Sequence, residues 1–137
     1  HMHLSTRDMA KIGQLMLQKG RWKDKQRIPE NWIEKSTTTV TPMDTIRKRD
    51  RLKIDHPVQF SYGMMWWVFE KLYGNPDFQG AYTASGYGGQ YITVIPKKNV
   101  VIAHKSNMDL QSMFGVSDRR RTPSWKYWMI LEKLMNN

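Results

Sequence analysis

Between Phe60 and Lys105 the apolar residues come in unbroken runs rather than at helical intervals, and this constrains the fold more than any other feature. Phe60-Ser61-Tyr62-Gly63-Met64-Met65-Trp66-Trp67-Val68-Phe69 is almost wholly aromatic or apolar, the pattern of a strand covered on both faces. Leu72 to Gly80 carries Gly, Asn and Pro and reads as a turn. A second extended stretch, 81–95, breaks at Ser85-Gly86-Tyr87-Gly88-Gly89 and resumes as Gln90-Tyr91-Ile92-Thr93-Val94-Ile95. Pro96-Lys97-Lys98-Asn99 reads as a hairpin turn and Val100 to Lys105 as another strand. The segment predicts a three-stranded antiparallel sheet, with strands at about 60–69, 81–95 and 100–105. Three glycines inside the second strand predict a bulge, or a close approach of the backbone to a ligand.

Helical patterns flank this block, so the fold class is α+β. Ser5 as N-cap, Asp8 three residues on, and the stripe Met9, Ile12, Leu15, Met16 predict a helix over 5–19, closed by Gly20. Gly13 weakens that helix by about 1 kcal/mol relative to alanine, and close packing against a neighbour is the expected justification. Arg21 to Ile28 reads as a basic connector. Pro29 suits the first turn of a short helix over 29–36, with Trp32 and Ile33 expected to be buried. Residues 38–57 read as an irregular basic loop. They hold Pro42, Pro57 and the run Arg47-Lys48-Arg49-Asp50-Arg51-Leu52-Lys53, for which a solvated loop or helix face is favoured over a phosphate site. Thr122 and Pro123 can open a last helix over 123–135, whose Trp125, Trp128, Leu131 and Met135 fall near one side. That helix is expected to lie across the sheet. His1-Met2-His3 reads as an expression scar, leaving 4–137 as the folded part.

Composition then narrows the chemistry. Lysine and arginine number 22 against 12 acids in 137 residues, a net charge of +10. Such a balance fits a nucleic-acid footprint, but the basic residues are scattered and few aromatics interleave them, so no nucleic-acid partner is expected. No apolar run is long enough for membrane insertion. The absence of cysteine excludes disulfides, thiolate metal sites and cysteine catalysis. His56 and His104 stand apart from carboxylates at ligand spacing, so no metal and no cofactor is expected. Gly86-Tyr87-Gly88-Gly89 lies within strands, not between a strand and a helix, and so fails the context of a dinucleotide site. No serine sits in a Gly-x-Ser-x-Gly elbow, and none is followed three residues later by lysine. No activated serine is recognisable.

Several segments nevertheless resemble one family in order and spacing. They are Leu4-Ser5-Thr6-Arg7-Asp8-Met9-Ala10-Lys11-Ile12-Gly13, then Gly20-Arg21-Trp22, then Ile28-Pro29-Glu30-Asn31-Trp32-Ile33. Tyr62-Gly63-Met64-Met65-Trp66-Trp67-Val68 and Ser85-Gly86-Tyr87-Gly88-Gly89-Gln90-Tyr91-Ile92 follow, with Val94-Ile95-Pro96 behind them. Together they resemble the C-terminal part of a serine beta-lactamase-like hydrolase. This is the superfamily of class C beta-lactamases, penicillin-binding proteins and esterases, and the likeness is greatest to its 6-aminohexanoate-dimer hydrolase branch. The likeness covers roughly 4–135, weakest over 38–57.

The resemblance implies a partial beta-lactamase-like fold and acyl transfer on an amide or ester in a longer parent chain. The family's Ser-x-x-Lys nucleophile and base, and its Tyr-x-Asn loop, precede the part matched by Leu4–Gly20 and are expected upstream. Tyr73-Gly74-Asn75 spells Tyr-x-Asn in another place and reads as a turn. Where the family has Lys-Thr-Gly or His-x-Gly, this chain has Ala84-Ser85-Gly86, which weakens the case for carboxylate recognition. The resemblance implies substrate contacts at Ser85, Gly86 and Gly88, and an oxyanion donor in the backbone N–H of Tyr87. It further implies an exported or periplasmic bacterial protein, with the N-terminal half of the domain as partner and a small amide or ester as substrate. Alone, the chain is expected to be inactive and, with a strand edge and a sheet face uncovered, to self-associate. The alternatives are a non-catalytic binding domain with this half-fold and, third, a basic nucleic-acid-binding module.

Overall fold

The computed structural model describes residues 4–51, 53–106 and 124–136. Helix α1 spans Thr6–Leu17. Its Ser5 cap accepts from the Asp8 N–H at 3.1 Å and donates its own hydroxyl proton to the Asp8 carboxylate at 2.6 Å. The helix ends where Gly20, at φ +84°, donates its N–H to the Leu15 carbonyl at 2.8 Å. The basic connector folds into a two-stranded ribbon, β1 (Arg21–Trp22) against β2 (Lys25–Gln26). Helix α2 spans Glu30–Thr37. Its buried side is Ile33 and Ser36, one turn apart, so Trp32 falls off that stripe and is 52% exposed, contrary to expectation.

The stretch 38–57 is less irregular than its sequence suggests. Helix α3, Met43–Arg49, starts after Pro42 with Asp44 in its first turn and ends on Arg47, Lys48 and Arg49. That charge order matches the helix dipole, and Ile46 anchors the helix inward. Part of the basic run is thus a helix face.

The sheet has five strands, not three. The strands β3 (Val58–Tyr62), β4 (Trp67–Leu72), β5 (Tyr82–Gly86), β6 (Gln90–Ile95) and β7 (Val100–His104) form an antiparallel meander in that order. The expected strand 60–69 is two strands joined by a tight turn. Gly63 donates its N–H to the Trp66 carbonyl at 2.8 Å, and Met65 takes φ +67°. The Met64 N–H is drawn to the Ser36 carbonyl of α2 at 2.8 Å. A Cβ on Gly63 would lie 2.4 Å from that same oxygen, so only glycine allows the approach. The expected strand 81–95 is likewise a hairpin. Gly88 and Gly89 take φ +81° and +78°, and Gly86 pairs with Gln90 across the three-residue turn between β5 and β6. The hairpin between β6 and β7 forms as expected, with Asn99 left-handed at φ +55°.

Helices cover both sides of the sheet. On one side α1 lies over β6 and β7, and Met16 and Ile33 share a buried cluster with Tyr82 and Val94. On the other lies α4, Ser124–Met135, whose Tyr127, Trp128 and Leu131 pack on Val58, Phe69, Phe78, Tyr91 and Ile95. Thr122 and Pro123, offered as its cap, lie outside the described residues, as does the arginine run 119–121. A buried hydroxyl chain fixes α4 to the sheet. The Tyr127 hydroxyl meets Thr93 Oγ1 at 2.8 Å, which meets Thr83 Oγ1 at 2.9 Å.

Candidate functional site

The chain ends up distinctive where β5 loses one of its two neighbours. Phe69 donates its N–H to the Ala81 carbonyl, and the β4 ladder continues only to Val68–Tyr82 and Trp67–Thr83. Antiparallel strands alternate which side their backbone groups face. Ala81, Thr83 and Ser85 therefore turn their N–H and C=O toward β4, while Ala84 and Gly86 turn toward β6. At Ser85 the turn 63–66 has already carried the chain away, and among the described residues no strand pairs with it on that side. Ala84, Ser85 and Gly86 are held by β6 alone, opposite Ile92, Tyr91 and Gln90.

Gly86 needs no glycine for its fold. Its φ is ordinary, and among the described residues a Cβ there would meet only Gln90 atoms at 3.5–3.6 Å, a normal contact. Gly63 and Gly13, by contrast, would clash at 2.4 Å. The missing side chain at Gly86 thus leaves room that no described residue fills.

The turn beyond is pinned from below. His104 Nδ1 lies 2.9 Å from the Gly89 carbonyl oxygen, to which Ser106 also donates at 3.4 Å. The Gln90 side-chain amide donates to the Tyr87 carbonyl at 3.4 Å. Tyr87 itself is 80% exposed at the start of the turn. The structure therefore brings Ser85, Gly86, Tyr87 and Gly88 together on one strand end and its turn. His104 is half-buried and clamps this turn, which sequence alone did not signal.

Ser85 also borders a cleft of about 490 Å³ between α3, the ends of β3–β5 and the start of α4. Phe60, Trp67, Trp125, Trp128, Met43 and Ile46 are among the residues that line it. Its charged groups are matched locally. Arg47 pairs with Asp44 at 3.2 Å on the same helix, and Asp50 pairs with Arg49 at 2.6 Å, which holds its carboxyl below the usual range.

Burial pushes Tyr82 up to about 12 and Tyr127 higher still, the latter against the opposing pull of its Thr93 hydrogen bond. Tyr73-Gly74-Asn75 is turn chemistry: Tyr73 and Gly74 are left-handed, at φ +50° and +77°, and Asn75 Oδ1 accepts from the Asp77 N–H at 2.9 Å. His56 is engaged with Val58, and among the described residues no three His, Asp or Glu side chains gather as a metal site. Within the same residues no helix is long and apolar enough to cross a membrane.

No family model and no curated protein matches the chain. Among solved structures it is similar to one named "Putative 6-aminohexanoate-dimer hydrolase from Bacillus anthracis", at a TM-score of 0.53 and 24% sequence identity. The alignment covers 96% of this chain and 29% of that one, so the chain spans under a third of its neighbour's length. At that identity the likeness establishes architecture: an α+β fold with an antiparallel sheet, matching part of a larger hydrolase-named structure.

Proposed function

We propose that this chain is the C-terminal part of a serine beta-lactamase-like hydrolase and forms one wall of its acyl-transfer site. The observation that carries the reading is the one-sided pairing of β5 beyond Thr83, next to a glycine at 86 that packing does not require. A substrate carbonyl can lie along such an edge without displacing any described residue. In this reading Ser85, Gly86 and Gly88 contact the substrate, and the Tyr87 backbone N–H stabilises the oxyanion that forms on the carbonyl. The attacking serine and its base come from the upstream part of the parent. The serine oxygen adds to the carbonyl, the amine or alcohol leaves with a proton, and water releases the acid. No cofactor or metal takes part. The ordered motifs and the partial match to a larger hydrolase-named structure support the same reading. The compartment that goes with it is bacterial export or the periplasm.

Two measurements test this. The isolated chain is expected neither to hydrolyse an activated ester nor to be labelled by a fluorophosphonate; hydrolysis abolished by that probe would overturn the reading. In the parent, Tyr87→Pro removes the backbone donor and is expected to lower kcat by about 10²–10³, while Gly86→Ala lowers kcat/KM with little change in melting temperature. Undiminished turnover in both variants excludes this wall from the site. The outer edge of β7, which pairs only with β6 among the described residues, would receive the upstream half of the domain. Without that half the chain is expected to self-associate; a monomeric mass by light scattering at micromolar concentrations counts against this.

A further inference from the structure

We infer that the cleft beside Ser85 binds an uncharged, flat apolar group bearing a carbonyl, and that it discriminates against carboxylates. The inference rests on the acyl-transfer reading for its biological sense, since the cleft adjoins the unpaired edge of β5. It names the side of the substrate that reading leaves blank. A volume of about 490 Å³ is that of a small-molecule pocket, and its mostly apolar lining includes the rings of Phe60, Trp67, Trp125 and Trp128. Flat apolar groups are what such rings accept.

Two donors in this lining have no hydrogen-bond partner among the described residues. Trp128 is 8% exposed, and its indole N–H has no hydrogen-bond partner among the described residues, although a buried indole N–H ordinarily finds one. The Ser85 hydroxyl likewise has none. Both residues line the cleft and can donate, and a neutral ester or amide oxygen is the simplest acceptor for them. Charge is a different matter. Arg47 and Asp50 both border the cleft, each is already paired within its own helix region, and together they cancel. An anion entering would lose water with no uncompensated cation among the described lining residues to meet it. In a chain of net charge +10 the described lining of this cleft is thus charge-balanced, which composition would not suggest.

The test uses this chain and no catalysis. N-methylphenylacetamide, phenylacetate and 2-phenylethylammonium are titrated while the indole N–H signals of the six tryptophans are followed by NMR. The amide is expected to bind at or below about 1 mM and the two ions at least about tenfold more weakly. Shifts should fall on Trp67, Trp125 and Trp128, and not on Trp22 or Trp32. Trp125→Ala, a 60% exposed residue whose loss spares the fold, should weaken the amide about fivefold or more. Trp128→Phe keeps a ring and removes the donor; it should weaken the amide by roughly two- to tenfold and leave ethylbenzene unchanged. Equal binding of amide and ions, no saturable shift, or full affinity in Trp125→Ala would each overturn the inference. Amide binding by this chain, combined with a parent that transfers no acyl group, would keep the cleft assignment and sink the acyl-transfer reading. The reverse pair of results would do the opposite.

Discussion

The two faces of the sheet are packed by different means. Beneath α1 the layers meet by close approach: the backbone of Gly13 sits against Val101 and Ile92, and Val94 is fully buried. Beneath α4 the contact is a layer of rings. Phe60 and Phe69 lie 4.7 Å apart, Tyr91 stacks on Tyr127 at 4.1 Å, and Trp128 meets Phe60, Phe69 and Tyr91. Small aliphatic groups let a helix sit down on a sheet. Large rings hold it off, and where the layer runs out beside Trp67 and Ser85 the gap stays open as the cleft. The difference teaches where this fold can accommodate a ligand: at the margin of the aromatic face.

The largest test of that contrast is Phe69→Ala. Phe69 is 2% exposed and touches Phe60, Phe78 and Trp128. Its loss is expected to cost about 3–5 kcal/mol, read as a lower urea midpoint with an unchanged slope. A cost below about 1 kcal/mol would mean that the aromatic layer is not the frame of that face.

A subtler test addresses the opposite face. Gly13→Ala gains about 1 kcal/mol of helix propensity. The new Cβ, however, would lie 2.4 Å from Val101 Cγ1 and 3.0 Å from Ile92 Cγ2. Overpacking of this kind costs about 1–3 kcal/mol, so net destabilisation is expected. Val101→Ala in the same chain makes room, and the double variant should recover most of the loss. If Gly13→Ala alone is stabilising, α1 is not held by close approach and the contrast between the faces falls.

That glycine shows what the sequence made legible. Its place in an otherwise good helix already implied a close neighbour, and Ser5 with Asp8 announced the start of α1. The strand count was harder to read, for two different physical reasons. At 63–66 the turn is made of Met64, Met65 and Trp66, which are not turn-forming residues, and it is held by a long-range bond to Ser36. No local rule sees a partner 28 positions upstream in the chain (64 − 36). At 87–89 the signal was present, since paired glycines mark a hairpin, but it admitted a bulge as well. The candidate site divides in the same way. Ser85, Gly86, Tyr87 and Gly88 are contiguous and could be named from sequence. Trp67, Trp125, Trp128 and the clamp from His104 converge only through the sheet and α4.

The smallest expected effect separates the two helices by their ends. In α1 the Asp8 carboxyl accepts from Lys11 and from Ser5, and these bonds lower it from its ordinary 3.8 to about 2. The first turn of α4 carries no acid. A carboxyl depressed in the folded state stabilises it fully above its unfolded value, and the contribution disappears as pH falls through the folded value. The first turn of α1 should therefore loosen between about pH 3.8 and 2, with its midpoint near the lower figure, while the first turn of α4 shows no matching step. Backbone Cα shifts at Thr6–Met9 and at Ser124–Tyr127, followed through that range, read the difference directly. Asp8 lies at the surface with its side chain 45% exposed, so the change is confined to one turn and the melting temperature should barely move. Asp8→Asn should abolish the step and keep the rest of α1. A midpoint at the ordinary carboxyl value would show that water, not Lys11 and Ser5, holds this end, and that α1 depends on its contact with the sheet alone.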